Sequence, residues 1–175
     1  MSYSELFTYD ADTGNLHWVV RPIEHFSNEG AWKMWNKKYA GAIVGYRKRT
    51  RRGGQQQSPQ VHAFGRMVYL HRIVWEMNFG TIPSGMMIDH VNGDNLDNRL
   101  GNLRLANAND NARNCRGRSI HGVKGVTPRS NGKWFAQITV DGHNKCLGTF
   151  QTKGLAALAY AKAAIRYHGQ FARIR

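Results

Sequence analysis

Acidic residues are scarce in this chain of 175 residues: 11 Asp and Glu face 25 Lys and Arg, a formal net charge of +14. Soluble surfaces ordinarily interleave both signs, so this imbalance points to a polyanionic partner, with nucleic acid foremost. Cysteine is nearly absent. Cys115 and Cys146 are the two present and no CxxC pair exists, which excludes a Cys₄ structural zinc and suits free thiols in a reducing cytosol. The opening MSYSELFTYD lacks the basic-then-apolar pattern of a secretory signal. No window approaches the ~20 apolar residues of a membrane helix. The expectation is a soluble, cytoplasmic protein without membrane contact. Its hydrophobic content of 41% suffices for globular cores, in one mid-sized domain or two small ones.

Along the chain, Tyr9-Asp10-Ala11-Asp12-Thr13-Gly14 reads as a turn and Asn15 to Val20 as the strand that leaves it. Trp32, Trp35 and Tyr39 fall near helical spacing, as core-packing aromatics do. Arg47, Lys48, Arg49, Arg51 and Arg52 crowd six positions ahead of Gly53-Gly54-Gln55, a flexible basic loop suited to phosphate contact. Val61 to Tyr69 reads as strand. Leu70, Ile73, Val74 and Met77 fall at i, i+3, i+4 and i+7, which predicts a helix over 70–79 ended by Gly80 and Pro83. His71 lies beside that apolar stripe and reads as structural.

The chemistry concentrates between Met86 and Asn114. Met86 to Val91 reads as a short strand, Asn92-Gly93-Asp94-Asn95 as a loop, Leu103-Arg104-Leu105 as a second strand and Asn107 to Asn114 as a helix. Phosphodiester hydrolysis needs an activated water, a Lewis acid on the phosphate and help for the leaving oxygen. A histidine such as His90 can accept a proton near neutral pH, and the adjacent Asp89 supplies a hard oxygen for Mg²⁺. Neighbours on a strand point to opposite faces, so a second metal ligand must come from the following helix. Asn107, Asn111 and Asn114 share one helix face, and any of them could reach the ion; Asn107 also suits an N-cap.

Asp89-His90, Asn102-Leu103-Arg104 and Asn111 resemble the HNH nucleases, most closely their phage and homing-endonuclease branch. The stretches Leu70-His71-Arg72 through Met86 and Tyr9 through Leu16 match in style, so the likeness covers most of residues 5 to 115. It implies a ββα-metal motif in which His90 is the general base and Asn102 braces the loop and orients His90. Asp89 and Asn111 would hold one divalent ion, Mg²⁺ or Mn²⁺ being suited to an oxygen ligand set.

Residues 112 to 121 read as a basic linker offering Arg113, Arg116 and Arg118 to phosphates. Beyond Ser119 there are nine Lys or Arg and one acid, Asp141. Turn signals at Arg129-Ser130-Asn131-Gly132 and Asp141-Gly142 predict a three-stranded antiparallel meander. Thr152 then caps a helix whose Leu155, Leu158, Ala159, Lys162 and Ile165 form a stripe expected to pack on the sheet. Gly125-Val126, Gly132-Lys133-Trp134, Leu147-Gly148-Thr149-Phe150 and the Ala-Ala-x-Ala-Tyr run ending at Tyr160 resemble an AP2-type DNA-binding domain over about residues 122 to 174. The resemblance implies a sheet face laid in the major groove. Alternation puts Lys133, Phe135, Gln137 and Thr139 on that face, with Lys124, Thr127, Arg129 and Lys145 as neighbours.

The fold expected is α+β: a strand-rich N-terminal region with a ββα-metal unit over 1–115, a linker over 116–121, and a sheet-plus-helix DNA-binding domain over 122–175. The function expected is site-preferring cleavage of double-stranded DNA by a phage or mobile-element nuclease, monomeric or homodimeric. The alternative is a DNA-binding regulator without catalysis, which keeps the scaffold and binds without a divalent ion.

Overall fold

The structure, a computed structural model, describes residues 2–45, 58–114 and 122–174. The basic cluster Arg47, Lys48, Arg49, Arg51 and Arg52, and Arg116 and Arg118 of the linker, lie outside the described residues. The chain is mixed α and β, with small sheets of two or three strands. It divides into two compact units, Met1–Leu105 and Ala106–Arg175. None of the helices among the described residues is long and apolar enough to cross a membrane.

The first unit is assembled from strand pairs around one core. Strands β1 (Phe7–Tyr9) and β2 (Leu16–Trp18) pair antiparallel about the Asp10–Gly14 turn, where the Asp10 carboxylate accepts from Thr13 Oγ1 at 2.6 Å. Helix α1 spans Glu29–Tyr39. The stretch expected as a single strand over 61–69 is instead a hairpin, β3 (Gln60–Ala63) and β4 (Arg66–Tyr69). Its turn residues Phe64 and Gly65 both have positive φ, at 48° and 79°, the twist a two-residue hairpin needs. Helix α2 (Leu70–Phe79) buries Leu70, Ile73 and Val74 as its spacing predicts, and stops at Gly80. These side chains meet Phe7, Leu16, Val44 and Leu103 in the core. Trimming the fully buried Ile73 to Ala costs about 2–5 kcal/mol. Strands β5 (Met87–His90) and β6 (Leu103–Ala106) form the last pair.

The second unit, Ala106–Arg175, carries the short helix α3 (Ala108–Asn114) near its start. Strands β7 (Val126–Pro128), β8 (Trp134–Val140) and β9 (His143–Phe150) form the antiparallel meander. Asp141 and Gly142, with φ of 50° and 79°, make its second turn. Helix α4 (Lys153–His168) starts at Thr152, whose hydroxyl accepts from Leu155 N at 3.3 Å.

The packed face of α4 differs from expectation. Ala156, Tyr160, Ala163 and Ala164 are buried against Val126, Ala136 and Ile138, while Leu155, Leu158 and Ile165 are 50%, 52% and 60% exposed. Lys162 is exposed as well. The alanines at i, i+7 and i+8 also define a helical stripe, and their small side chains let the helix lie close on the sheet. Burial there pushes the Tyr160 phenol up to about 12.

Candidate active site

Asp89 and His90, adjacent on β5, are both buried, at 6% and 5% exposure. They have different partners, as strand alternation requires. Arg104, on the paired strand β6, donates from both Nε and Nη2 to Asp89 Oδ2, at 2.9 and 2.7 Å. Both side chains of this ion pair are largely shielded from water. The ring of His90 is held elsewhere. Its Nε2 lies 3.0 Å from Oδ1 of the buried Asn98, and its face or edge meets the ring of His71 at right angles, with centroids 5.2 Å apart.

The loop between the two strands is built by its own side chains. Asn102 Oδ1 accepts from Asn92 N at 2.9 Å and its Nδ2 donates to Asp97 O at 2.7 Å, so this asparagine, at the end of the loop, ties down its start and its middle. Arg99 donates to both Asp97 oxygens at 2.8 and 2.7 Å, and that hydrogen bonding holds the Asp97 carboxyl down at about 2. The loop is also buttressed from the N-terminal hairpin. Tyr9 Oη donates to Asn98 O and accepts from Leu100 N, both at 3.2 Å. Gly14, at φ 76°, abuts the Asn98–Arg99 backbone so closely that an added Cβ would collide with it. The position of Asn98 beside His90 is therefore set by residues some 85–90 places earlier in the chain.

His71 begins α2 and stacks on Tyr69, ring centroids 5.3 Å apart and planes 10° apart. Burial, with smaller repulsion from His90 and Arg72, pushes its imidazole down to about 3. Its Nδ1 is buried without a hydrogen-bond partner. Neither His71 nor Asn98 was singled out for the site from sequence. From the sequence His71 reads as a structural residue beside the apolar stripe of its helix, and Asn98 hides in the asparagine- and aspartate-rich run 92–98.

In the second unit, Asn107 precedes α3, and the helix itself carries Asn109, Asn111 and Asn114. Asn107 Oδ1 accepts from Asp110 N at 2.9 Å, an N-cap contact, and Asn114 is buried. Asn111, half-buried, lies between them on the helix. The C-terminal carbonyls of α3 are held by cations: Lys124 Nζ donates to Ala112 O at 3.2 Å and Arg113 O at 2.8 Å, and Arg173 donates to Asn114 O at 3.4 Å. Arg113 bridges Asp110 and Asp141, both at 3.0 Å. Arg113, expected to contact phosphates, and Lys124, expected beside the DNA-reading sheet face, both make contacts within this unit.

On the meander, Thr127, Phe135 and Thr149 pair across the three strands and share one face, and Arg129 lies over the Phe135 ring at 4.2 Å. Lys133 and Gln137 are half-buried and Thr139 is exposed, its hydroxyl donating to Asn144 Oδ1 at 2.7 Å. Gln137 and Thr139 also line a cleft of about 390 Å³ shared with Asn109, Ala112 and Arg113 of α3. Lys145 differs from expectation. It pairs with the core residue Ile138 and its ammonium lies 4.7 Å from the ring of Tyr167 on α4, which places it on the helix side of the sheet.

Residues 68–113 match the family model described as HNH endonuclease. Protein 3.8 of Escherichia phage T7 is 33% identical over 108 residues, which are 60% of this chain and 88% of that protein. An uncharacterized HNH endonuclease, L560, of Acanthamoeba polyphaga mimivirus is 31% identical over 120 residues, 68% of this chain and 63% of its own length. An AP2/ERF and B3 domain-containing protein of Oryza sativa subsp. japonica is 49% identical over 47 residues, 27% of this chain and 13% of the rice protein. No solved structure matches significantly. The chain thus carries an HNH endonuclease domain over residues 68–113 and is a relative of the phage T7 protein.

Proposed function

We propose that the protein is a divalent-metal-dependent endonuclease that hydrolyses double-stranded DNA at preferred sites, in the manner of a phage or mobile-element homing nuclease. The observation that carries this reading is the buried His90, adjacent to Asp89 and hydrogen-bonded to Asn98, within the region matching the HNH family. His90 is the general base. Asn98 Oδ1 can only accept, so as placed it favours the neutral tautomer with its proton on Nε2, the form of the ring that can act as a base toward water. The hydroxide so formed attacks phosphorus as the bond to the 3′ oxygen breaks, and that oxygen leaves with a proton from solvent. Asn102 keeps the loop closed beneath the reacting phosphate.

The residues present fit a hard divalent ion such as Mg²⁺ or Mn²⁺. Asp89 offers carboxylate oxygen at a place that already binds a cation, the Arg104 guanidinium. Of Asn107, Asn111 and Asn114, which share one helix face, Asn107 is used in capping and Asn114 is buried, which favours Asn111 as the amide ligand. Bound there, the ion supplies Lewis-acid stabilisation of the phosphate and of the departing oxygen.

Residues 122–174 are proposed to be an AP2-like DNA-binding module that selects the target. The rice similarity and the open face bearing Thr127, Arg129, Phe135 and Gln137 support that role. The decisive experiment is cleavage of supercoiled plasmid carrying candidate target DNA, with Mg²⁺ or Mn²⁺ against EDTA, comparing wild type with His90→Ala. Metal-dependent cutting lost in the variant establishes the nuclease. Open-circular against linear product then tells nicking from double-strand cutting. Tight binding with no cutting by either protein supports a non-catalytic regulator.

A further inference from the structure

Helix α1 contains no fully buried residue, yet it is held firmly. Its inner side chains Trp32, Trp35 and Tyr39 are half-buried, and Trp35 sits at the centre of an aromatic cluster. Trp35 meets Trp18 edge-on at 5.1 Å, Tyr39 at 5.1 Å and Phe26 at 5.7 Å. The Arg21 guanidinium sits 5.0 Å from both the Phe26 and Trp35 rings. The backbone of Arg21 is bound three times from the helix: its N–H donates to Asn36 Oδ1 at 2.9 Å, and its carbonyl accepts from Asn36 Nδ2 at 3.0 Å and Trp32 Nε1 at 2.7 Å.

What this clamp presents outward is basic. Lys33, Met34, Lys37 and Lys38 are all exposed. At 3.6 residues per turn they span an arc of roughly 140°. Met34, 71% exposed, is the most exposed of the large hydrophobic side chains described. The one acid on the helix, Glu29, pairs with Lys33 at 2.7 Å.

We infer that the outer face of α1 is a docking surface for the phosphate backbone of duplex DNA, a contact separate from both the Asp89-His90 site and the C-terminal meander. This inference deepens the nuclease reading by adding a grip on its substrate. Three lysines on one rigid face complement a polyanion, and ordering the helix beforehand removes part of the entropic cost of binding. A membrane surface would demand a broad apolar face, and here the aromatic residues point into the clamp while Met34 stands alone among lysines.

The test is duplex binding by the cleavage-silent His90→Ala protein over a range of salt concentrations, by fluorescence anisotropy. In that background Lys33→Gln, Lys37→Gln and Lys38→Gln are combined, with the thermal midpoint checked for each protein. The slope of log K against log salt should become shallower by about 0.9 per lost phosphate contact, roughly 2–3 in all. Glu29→Gln, which frees Lys33 and needs no change to the lysines, should instead tighten binding several-fold at low salt. An unchanged slope in the triple variant overturns the surface, as does a wild-type face that binds anionic phospholipid vesicles but not duplex. Because cleavage is not read, a DNA-binding α1 on a protein that never cuts would uphold this surface and sink the nuclease reading alone.

Discussion

Arg104 places two donors on a single oxygen of Asp89, and the pair is buried within the unit that carries His90. A buried carboxylate that loses its cation is costly, about 3–5 kcal/mol when one partner is removed. Arg104→Ala should therefore lower the unfolding midpoint markedly in EDTA. Since Asp89 is the proposed metal ligand, excess Mg²⁺ should restore part of that loss by binding the native state. Thermal melts of the variant with EDTA and with Mg²⁺ check this. A midpoint indifferent to Mg²⁺ would remove Asp89 from the ligand set.

Asn98 should act through the orientation of His90. Asn98→Ala is expected to cut the cleavage rate about ten- to a hundredfold while leaving DNA affinity unchanged. His90→Ala should lose about 10²- to 10⁴-fold, the usual contribution of a general base. Rate and affinity measured on the same duplex separate the two effects. Equal losses of affinity and rate in Asn98→Ala would make the residue a support of the loop rather than of the base.

Asn111→Ala should abolish cleavage and spare DNA binding, because it removes an ion ligand and not a phosphate contact. Plasmid cutting beside an anisotropy titration decides the matter. Full activity in the variant would transfer the role to Asn107 or Asn114.

Acid should weaken the protein in two stages. His71, buried and held at about 3, stays neutral when folded, whereas the unfolded chain takes up a proton near 6.5. Between those values the unfolded state binds more protons. Stability therefore falls as pH falls, by up to about 1.4 kcal/mol per pH unit, and the loss ends near pH 3. Asp97, held at about 2 by Arg99, contributes stability that is present above 3.8 and fades only as pH drops toward 2. Urea unfolding from pH 4 to 7 should show a flatter profile for His71→Phe, which keeps a ring against Tyr69 and His90. An identical slope in the variant would place the acid sensitivity elsewhere.

The proposed reactive pair stands out in the sequence because it is local: Asp89 and His90 are neighbours, and Asn102 follows at a spacing that fits a short strand–loop–strand. The side chain holding His90 was not, since Asn98 is one of several asparagines in the loop and is set in place by Tyr9 and Gly14. The meander and the cap at Thr152 could be read from turn and capping residues. The buried face of α4 could not. Hydrophobicity favours Leu155, Leu158 and Ile165 as the packed stripe, whereas close approach to the sheet selects Ala156, Ala163 and Ala164. Lys145 was misplaced for a similar reason: the register shift at Ala136/Gln137, invisible in one strand's alternation, decides which residues of β9 share a face with Ile138.

Lys124 and Arg173 closing the end of α3 have a consequence for how such a protein could be recombined. The basic run at 116–121 looks like the natural seam for exchanging one target-reading module for another. A graft made there would leave α3 behind with its terminal carbonyls stripped of both cations. Joining donors between Leu105 and Ala106 would carry the helix, its capping residues and the sheet across as one piece. In a lineage that shuffles specificity by fusion, the inherited cassette would thus include Asn111, the proposed ion ligand, together with the proposed DNA-reading module.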